Sequence, residues 1–247
     1  MGIDISFEII VFLIGAFAAA FVAGLAGFAF GLVAAAIWLH ALAPVQAAAL
    51  IVIYALLVQG YAVWKLRRAI DYRRIAPFIV GSAIGIPAGL AVVNFVSAAQ
   101  LKIAIGVLLI AFSLYTLLKP AAPKLARINA LADGAVGVLN GAVAAATGLG
   151  GILPAIWCGW RGWNRDQQRA VFQPTAVATF LMCLAAFGGT GVLGADTLRL
   201  GAIGLPALIG GTVLGWALYG KLNEASFRKI VLGVLLASGV VLVLTGR

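Results

Sequence analysis

The chain has 247 residues, of which 64% are hydrophobic and only 10% charged, with a mean hydropathy of +1.14 and a net charge of +10. A soluble domain is about a quarter charged because its surface faces water, so this composition excludes an ordinary soluble domain and fits about eight to ten membrane segments of roughly 20 residues. The positive charge is not a nucleic-acid footprint, since the basic residues stand between apolar runs and do not line one helix face.

In chain order, apolar runs are read at 5–39, 44–64, 75–96, 101–118, 128–160, 169–190, 197–219 and 227–245. The first is preceded by Asp4 and contains Glu8, with no Lys or Arg before it. A signal peptide begins with a positive region, so this segment is expected to be retained. Two runs, 5–39 and 128–160, are too long for one crossing helix. Each is interrupted by small residues: Gly24-Leu-Ala-Gly-Phe-Ala-Phe-Gly31 in one, Thr147-Gly-Leu-Gly-Gly151 followed by Pro154 in the other. Glycine and proline disfavour helix interiors. Broken backbone at membrane depth survives only inside protein or beside a polar cavity. Two readings follow, a small-residue helix interface or a helical hairpin whose tip lies near the midplane.

The breaks recur about 120 residues apart, which points to a duplication with halves 1–119 and 120–247. Leu101-Lys-Ile-Ala-Ile-Gly-Val-Leu-Leu-Ile110 matches Arg228-Lys-Ile-Val-Leu-Gly-Val-Leu-Leu-Ala237 at six of ten positions, and Pro77-Phe-Ile-Val-Gly81 resembles Pro206-Ala-Leu-Ile-Gly210. Charge tests the orientation of the halves. With every long run counted as one crossing, Lys and Arg divide 10 to 7 between the two sides, a poor bias. With both broken runs counted as hairpins they divide 14 to 3, leaving only Lys102, Arg199 and Arg247 on the poor side. The cytoplasmic side carries the Lys/Arg excess, so the second count is preferred. It places the N-terminus outside and inverts one half relative to the other. The expected fold is an all-α polytopic membrane protein of two inverted repeats, each a glycine-broken, re-entrant hairpin followed by three transmembrane helices. Such repeats are a mark of secondary transporters.

The two glycine-rich breaks, together with Arg161-Gly-Trp-Asn-Arg-Asp-Gln-Gln-Arg-Ala170 after the second, resemble the sulfite exporter TauE/SafE family over nearly the whole chain. The first break departs from the family pattern at Ala29 and Phe30, where glycines are expected. The resemblance implies transport of small sulfur-containing anions such as sulfite, thiosulfate, sulfoacetate or other organosulfonates, driven by ion gradients, in the inner (cytoplasmic) membrane.

An oxyanion in a low-dielectric site needs hydrogen-bond donors and positive potential. Exposed backbone N–H groups at a helix start supply both. Gly148, Gly150, Gly151, Gly27 and Gly31 fit that role, the second break better than the first. Polar side chains near the breaks are Asn140, Thr147, Gln173 and Thr175, for each of which a helix–helix hydrogen bond is the alternative. Arg169, about one turn into its segment, either faces the site or reaches for the interface. Arg161 is a weaker candidate of the same kind. Trp157, Trp160 and Trp163 are expected at the interface, with Trp157 also able to wall a cavity. His40 is the only histidine, so a metal site is not expected. Asp133 either binds a coupling proton or pairs with Arg127. The leading function is a secondary transporter with a small anionic substrate, no cofactor and no nucleic-acid partner. A channel, a carrier of a non-sulfur anion and a structural component are the alternatives, and a homodimer is left open. An intramembrane enzyme is disfavoured, since the chain has no HExxH or GxSxG motif.

Overall fold

The computed structural model describes residues 2–26, 29–66, 70–118, 129–163, 165–219, 221 and 223–246. Within them the chain forms ten helices and no strand: α1 (Gly2–Ala26), α2 (Phe30–Trp38), α3 (Pro44–Leu66), α4 (Tyr72–Phe95), α5 (Ala98–Leu118), α6 (Ala130–Thr147), α7 (Ile152–Trp160), α8 (Arg165–Gly188), α9 (Ala195–Leu218) and α10 (Glu224–Thr245). Seven of these are long and apolar enough to cross a membrane, and α3 holds a shorter apolar stretch, Pro44–Gly60. Large apolar side chains such as Phe7, Val80, Ile84, Ile209 and Leu244 stand exposed on the helix faces, where lipid replaces water as solvent. The protein is an all-α, multi-pass membrane protein.

Both over-long runs break as expected, but into unequal arms. α1 has 25 residues and α6 has 18, whereas α2 and α7 have nine each. Nine residues rise about 13 Å, under half of a hydrocarbon core of roughly 30 Å. Neither short arm can therefore cross the hydrocarbon core by itself. Trp38, fully buried at the end of α2, donates from Nε1 to the Phe12 carbonyl at 3.0 Å.

The turn between the arms needs backbone with positive φ. Gly148 (φ 76°) and Gly151 (φ 90°) supply it at the second break. Ala29 adopts φ 73° at the first, the one non-glycine in this region among the described residues. Ala29 and Gly151 both stand immediately before their short helices. The departure from glycine at Ala29 thus leaves the bend intact and strains it, at a cost of roughly 1–2 kcal/mol. Part of that is offset by the extra entropy glycine loses on folding. Ala29→Gly is expected to stabilise the protein by about 0.5–1 kcal/mol. The thermal midpoint of the detergent-purified variant should rise; a fall would show that the strain is relieved by its neighbours.

The helices pair across the two halves. α1 packs along α9 and α6 along α4, each pair running in the same direction: Phe12 meets Gly204 and Phe17 meets Gly211, while Phe78 meets Gly137 and Ser82 meets Gly141. α5 packs on α10 in the opposite sense, Gly106 beside Gly239 and Ala99 beside Gly246. α3 packs on α8. The α4–α6 seam is set by small residues four apart, Gly81, Gly85 and Gly89 on one side and Gly137 and Gly141 on the other. A small-residue interface is therefore present in the body of the hairpin helix, and close packing reaches the breaks as well, with Gly24 against Gly215 of α9 and Gly148 against Ala48 of α3. Pro77 stands early in α4 and Pro206 at the middle of α9.

Candidate functional site

A cavity lies between the two breaks. Ala29, Phe30, Gly31 and Leu32 line it from the first, and Leu149, Gly150, Gly151, Ile152 and Ala155 from the second. Gln59 of α3, Phe112 of α5, and Phe172, Ala176 and Phe180 of α8 complete the wall. The α8 residues stand at the middle of that helix, so the breaks meet halfway along it. The cavity encloses about 40 Å³, where one water needs roughly 10–15 Å³; it admits a group of a few heavy atoms. Its wall is mainly apolar, and Gln59 is the one polar side chain among the lining residues.

Two helix starts face this space. Neither α2 nor α7 has a side-chain cap at its N-terminus. The first intrahelical bonds close at Val33 N to the Ala29 carbonyl and at Ala155 N to the Gly151 carbonyl. The N–H groups of Phe30, Gly31, Leu32, Ile152 and Leu153 thus have no acceptor within their own helices. Gly31 sits tightly between Ile51 and Leu149, with a Cβ there meeting them at 3.1 and 3.2 Å. Gly27 lies outside the described residues.

The second break is held from within by Asn140. Its Oδ1 accepts from Gly151 N at 2.8 Å, and its Nδ2 donates to Ser82 Oγ and Thr179 Oγ1, each at 3.2 Å. The side chain is fully buried. Gly148 N donates to the Ala144 carbonyl at 2.8 Å. Thr147 donates to the Val143 carbonyl at 2.6 Å and accepts from Leu149 N at 3.2 Å. In this conformation the N–H groups of Gly148 and Gly151 are therefore used inside the break, and the donors facing the cavity are those of the following helix turn. Ser82 and Thr179 were not singled out by sequence reasoning. The proline-flanked Ser82 and the paired threonines of α8 were the available signal.

Thr175 is buried on α8 and donates to the Val171 carbonyl at 2.8 Å, a bond within its own helix. Gln173 is buried on α8 beside cavity-lining Phe172, and Arg169 is partly buried about one turn nearer the helix start. None of these three side chains lines the cavity. Gln59, Phe112, Phe172 and Phe180 do, and of them only Gln59, polar within an apolar run, carried a sequence signal.

Trp157 stands away from the cavity, in a cluster at the far end of α7. Its Nε1 donates to Asp133 Oδ1 at 2.7 Å, and Arg161 Nη2 donates to Asp133 Oδ2 at 2.7 Å. Among the described residues the ion-pair partner of Asp133 is Arg161, while Arg127 lies outside them. The reason is topological: the short return of α7 brings Arg161 back beside the first turn of α6. Trp160 Nε1 donates to the Tyr115 hydroxyl at 2.6 Å, and Arg161 and Arg74 both lie over the Trp163 ring, at 5.0 and 5.3 Å from its centroid. These tryptophans bind protein partners. His40, in the turn after α2, contacts Ser238 Oγ at 3.1 Å. Partial burial first, and then the charge of Lys102, hold its pKa below the ordinary histidine value, against a hydrogen bond with the Ala36 backbone that raises it.

The family model of the sulfite exporter TauE/SafE matches residues 11–242. No curated protein and no solved structure matches the chain. The match takes in both breaks, the cavity between them and all but the ends of the chain. This multi-pass membrane transport protein belongs to the sulfite exporter TauE/SafE family.

Proposed function

We propose that the protein is a secondary transporter of small sulfur-containing oxyanions, sulfite, sulfoacetate or a related organosulfonate. It works in the direction of export, by alternating access around the two breaks. The observation that carries this reading is the cavity walled by both breaks, with the N-terminal ends of α2 and α7 facing it. Each helix start carries the equivalent of about half a positive charge, so the pair supplies roughly one unit to a site whose lining holds no charged side chain. Backbone N–H groups of Phe30, Gly31, Leu32, Ile152 and Leu153 donate to the oxyanion, and Gln59 adds a side-chain amide. Gly150, beside them, keeps the approach open.

The halves 1–119 and 120–247 are inverted copies in this reading, and the residues at their junction lie outside the described set. Antiparallel packing of the equivalent helices α5 and α10 supports inversion, as do the two parallel pairs α1–α9 and α4–α6, which a twofold relation would interchange. The charge bias then puts the N-terminus outside an inner membrane.

Flux of radiolabelled sulfite and sulfoacetate into proteoliposomes tests the function. Saturable, gradient-driven flux is expected; absence of flux of either by folded protein would overturn it, and unitary currents would point to a channel. Gly31→Val, which pushes methyl groups toward Ile51 and Leu149 at the cavity wall, is expected to cut that flux at least tenfold in a protein that still purifies as a folded species. Flux at the wild-type rate would move the site away from the first break.

A further inference from the structure

The far ends of the two short helices are fastened by different chemistry. α2 is held by neutral groups: Trp38 bonds the Phe12 carbonyl, and Ser238 of α10 donates to the Ala36 carbonyl while contacting His40 Nε2. Because the Ser238 hydroxyl proton goes to Ala36, His40 Nε2 is the donor in that contact, and the bond persists whether the ring is neutral or cationic. α7 is held by Trp160 to Tyr115 and by a carboxylate, that of Asp133. Trp157 and Arg161 stand four residues apart on one face of α7, and the two Asp133 oxygens take one donor from each. Asp133 is 5% exposed, the one buried acidic side chain among the described residues.

We propose that Asp133 is a proton-binding site and that its occupancy decides whether α7 is fastened. The ionised carboxylate accepts both donors. A proton on Oδ2 removes the negative charge that faces Arg161 and turns that oxygen into a donor facing a donor, so the carboxylate no longer holds both donors of α7. The catch therefore holds while Asp133 is ionised and opens on protonation. Other groups around it are Cys158 on α7; Arg74 on α4, stacked on Trp163 and bridged to Asp71 at 3.0 Å; and Arg169 on α8 at this end of the bundle. α3 presents no titratable side chain at this end among those described. The other end of α7 is cavity wall, through Gly151, Ile152 and Ala155. One rigid helix of nine residues thus connects the proton site to the anion cavity. The equivalent helix α2 has no such carboxylate, so proton binding acts on one side of the cavity only.

Hydrogen exchange by mass spectrometry on protein in nanodiscs tests this, with α2 as internal reference so that the chemical pH dependence of exchange cancels. In the wild type the exchange of α7 relative to α2 is expected to rise at least tenfold on acidification. In Asp133→Asn the ratio should be high and flat with pH, and Asp133→Glu should restore the pH dependence. A wild-type ratio that does not change with pH, or an Asp133→Asn ratio equal to wild type, would overturn the proposal. Should Asp133→Asn not fold, Trp157→Phe removes one donor and keeps the charge. It should raise the exchange of α7 relative to α2 at neutral pH above the wild-type ratio, and an unchanged ratio would count as refutation. The proposal rests on the transport reading only in its consequence for flux, where an imposed proton gradient should change anion flux in the wild type and not in Asp133→Asn. Absence of all anion flux would remove the transport reading and leave the exchange measurement to decide the proton site.

Discussion

Asn140→Ala is expected to abolish anion flux and to destabilise the protein by about 3–5 kcal/mol, the sum of three lost hydrogen bonds and the orphaned Gly151 N–H. The side chain joins three elements. It takes the N–H of Gly151 at the start of α7, and it donates to Ser82 on α4 and Thr179 on α8. No water reaches this site to replace it, because Asn140, Ser82 and Thr179 are all fully buried. An aspartate is no substitute. The Ser82 hydroxyl already donates to the Gly137 carbonyl and that of Thr179 to the Thr175 carbonyl, so a carboxylate would face acceptors where the amide now donates. Asn140→Asp is therefore expected to be as damaging as the alanine variant. Unfolding in detergent and proteoliposome flux measure the two effects, and a loss below about 1 kcal/mol with retained flux would remove Asn140 from its role as the strut of the second break.

The second large effect is steric. Gly85→Leu is expected to yield no folded protein, because a Cβ at this position would fall far inside van der Waals contact distance of the Val138 carbonyl oxygen on α6. Backbone cannot move aside as a side chain can. The helices would separate along the whole seam that Gly81, Gly89, Gly137 and Gly141 also form, forfeiting its packing and costing more than about 4 kcal/mol, the range reserved for severe core disruption. Gly233→Leu is the matched control, since nothing lies within 4 Å of a Cβ there. Size-exclusion profiles of the two variants should differ as aggregate and monodisperse peak. A monodisperse Gly85→Leu would mean that α4 and α6 are not in contact.

The long helices and both breaks were legible because their signals are local. Apolar runs, charged junctions and clusters of glycine and proline act over a few residues. The bend at Ala29 was not legible, because alanine has no local preference for positive φ and is held there by the packing around it. Asn140 was legible as a polar residue in an apolar run but not as a strut, since its partners lie 58 and 39 residues away on α4 and α8. Asp133 shows the same limit. Its nearest cation along the chain among the candidates was Arg127, and the return of α7 supplied Arg161. The phenylalanines lining the cavity read as ordinary lipid or core residues. Only the convergence of α5, α8 and the two breaks on one space distinguishes them.

The crossed pairing of α1 with α9 and of α4 with α6 bears on how such a chain could have arisen. A chain of half this length would carry α1 and α4 without the glycine-faced neighbour that each needs. A second copy lying the opposite way in the membrane would supply both. On the proposed inverted-repeat reading, the ancestral form of this architecture is an obligate pair of identical chains inserted in both orientations. On that same reading, joining them end to end lets the two copies diverge, and the carboxylate at Asp133, which the proposed repeat sets against Val11 in the first half, is the kind of one-sided specialisation that identical subunits could not acquire.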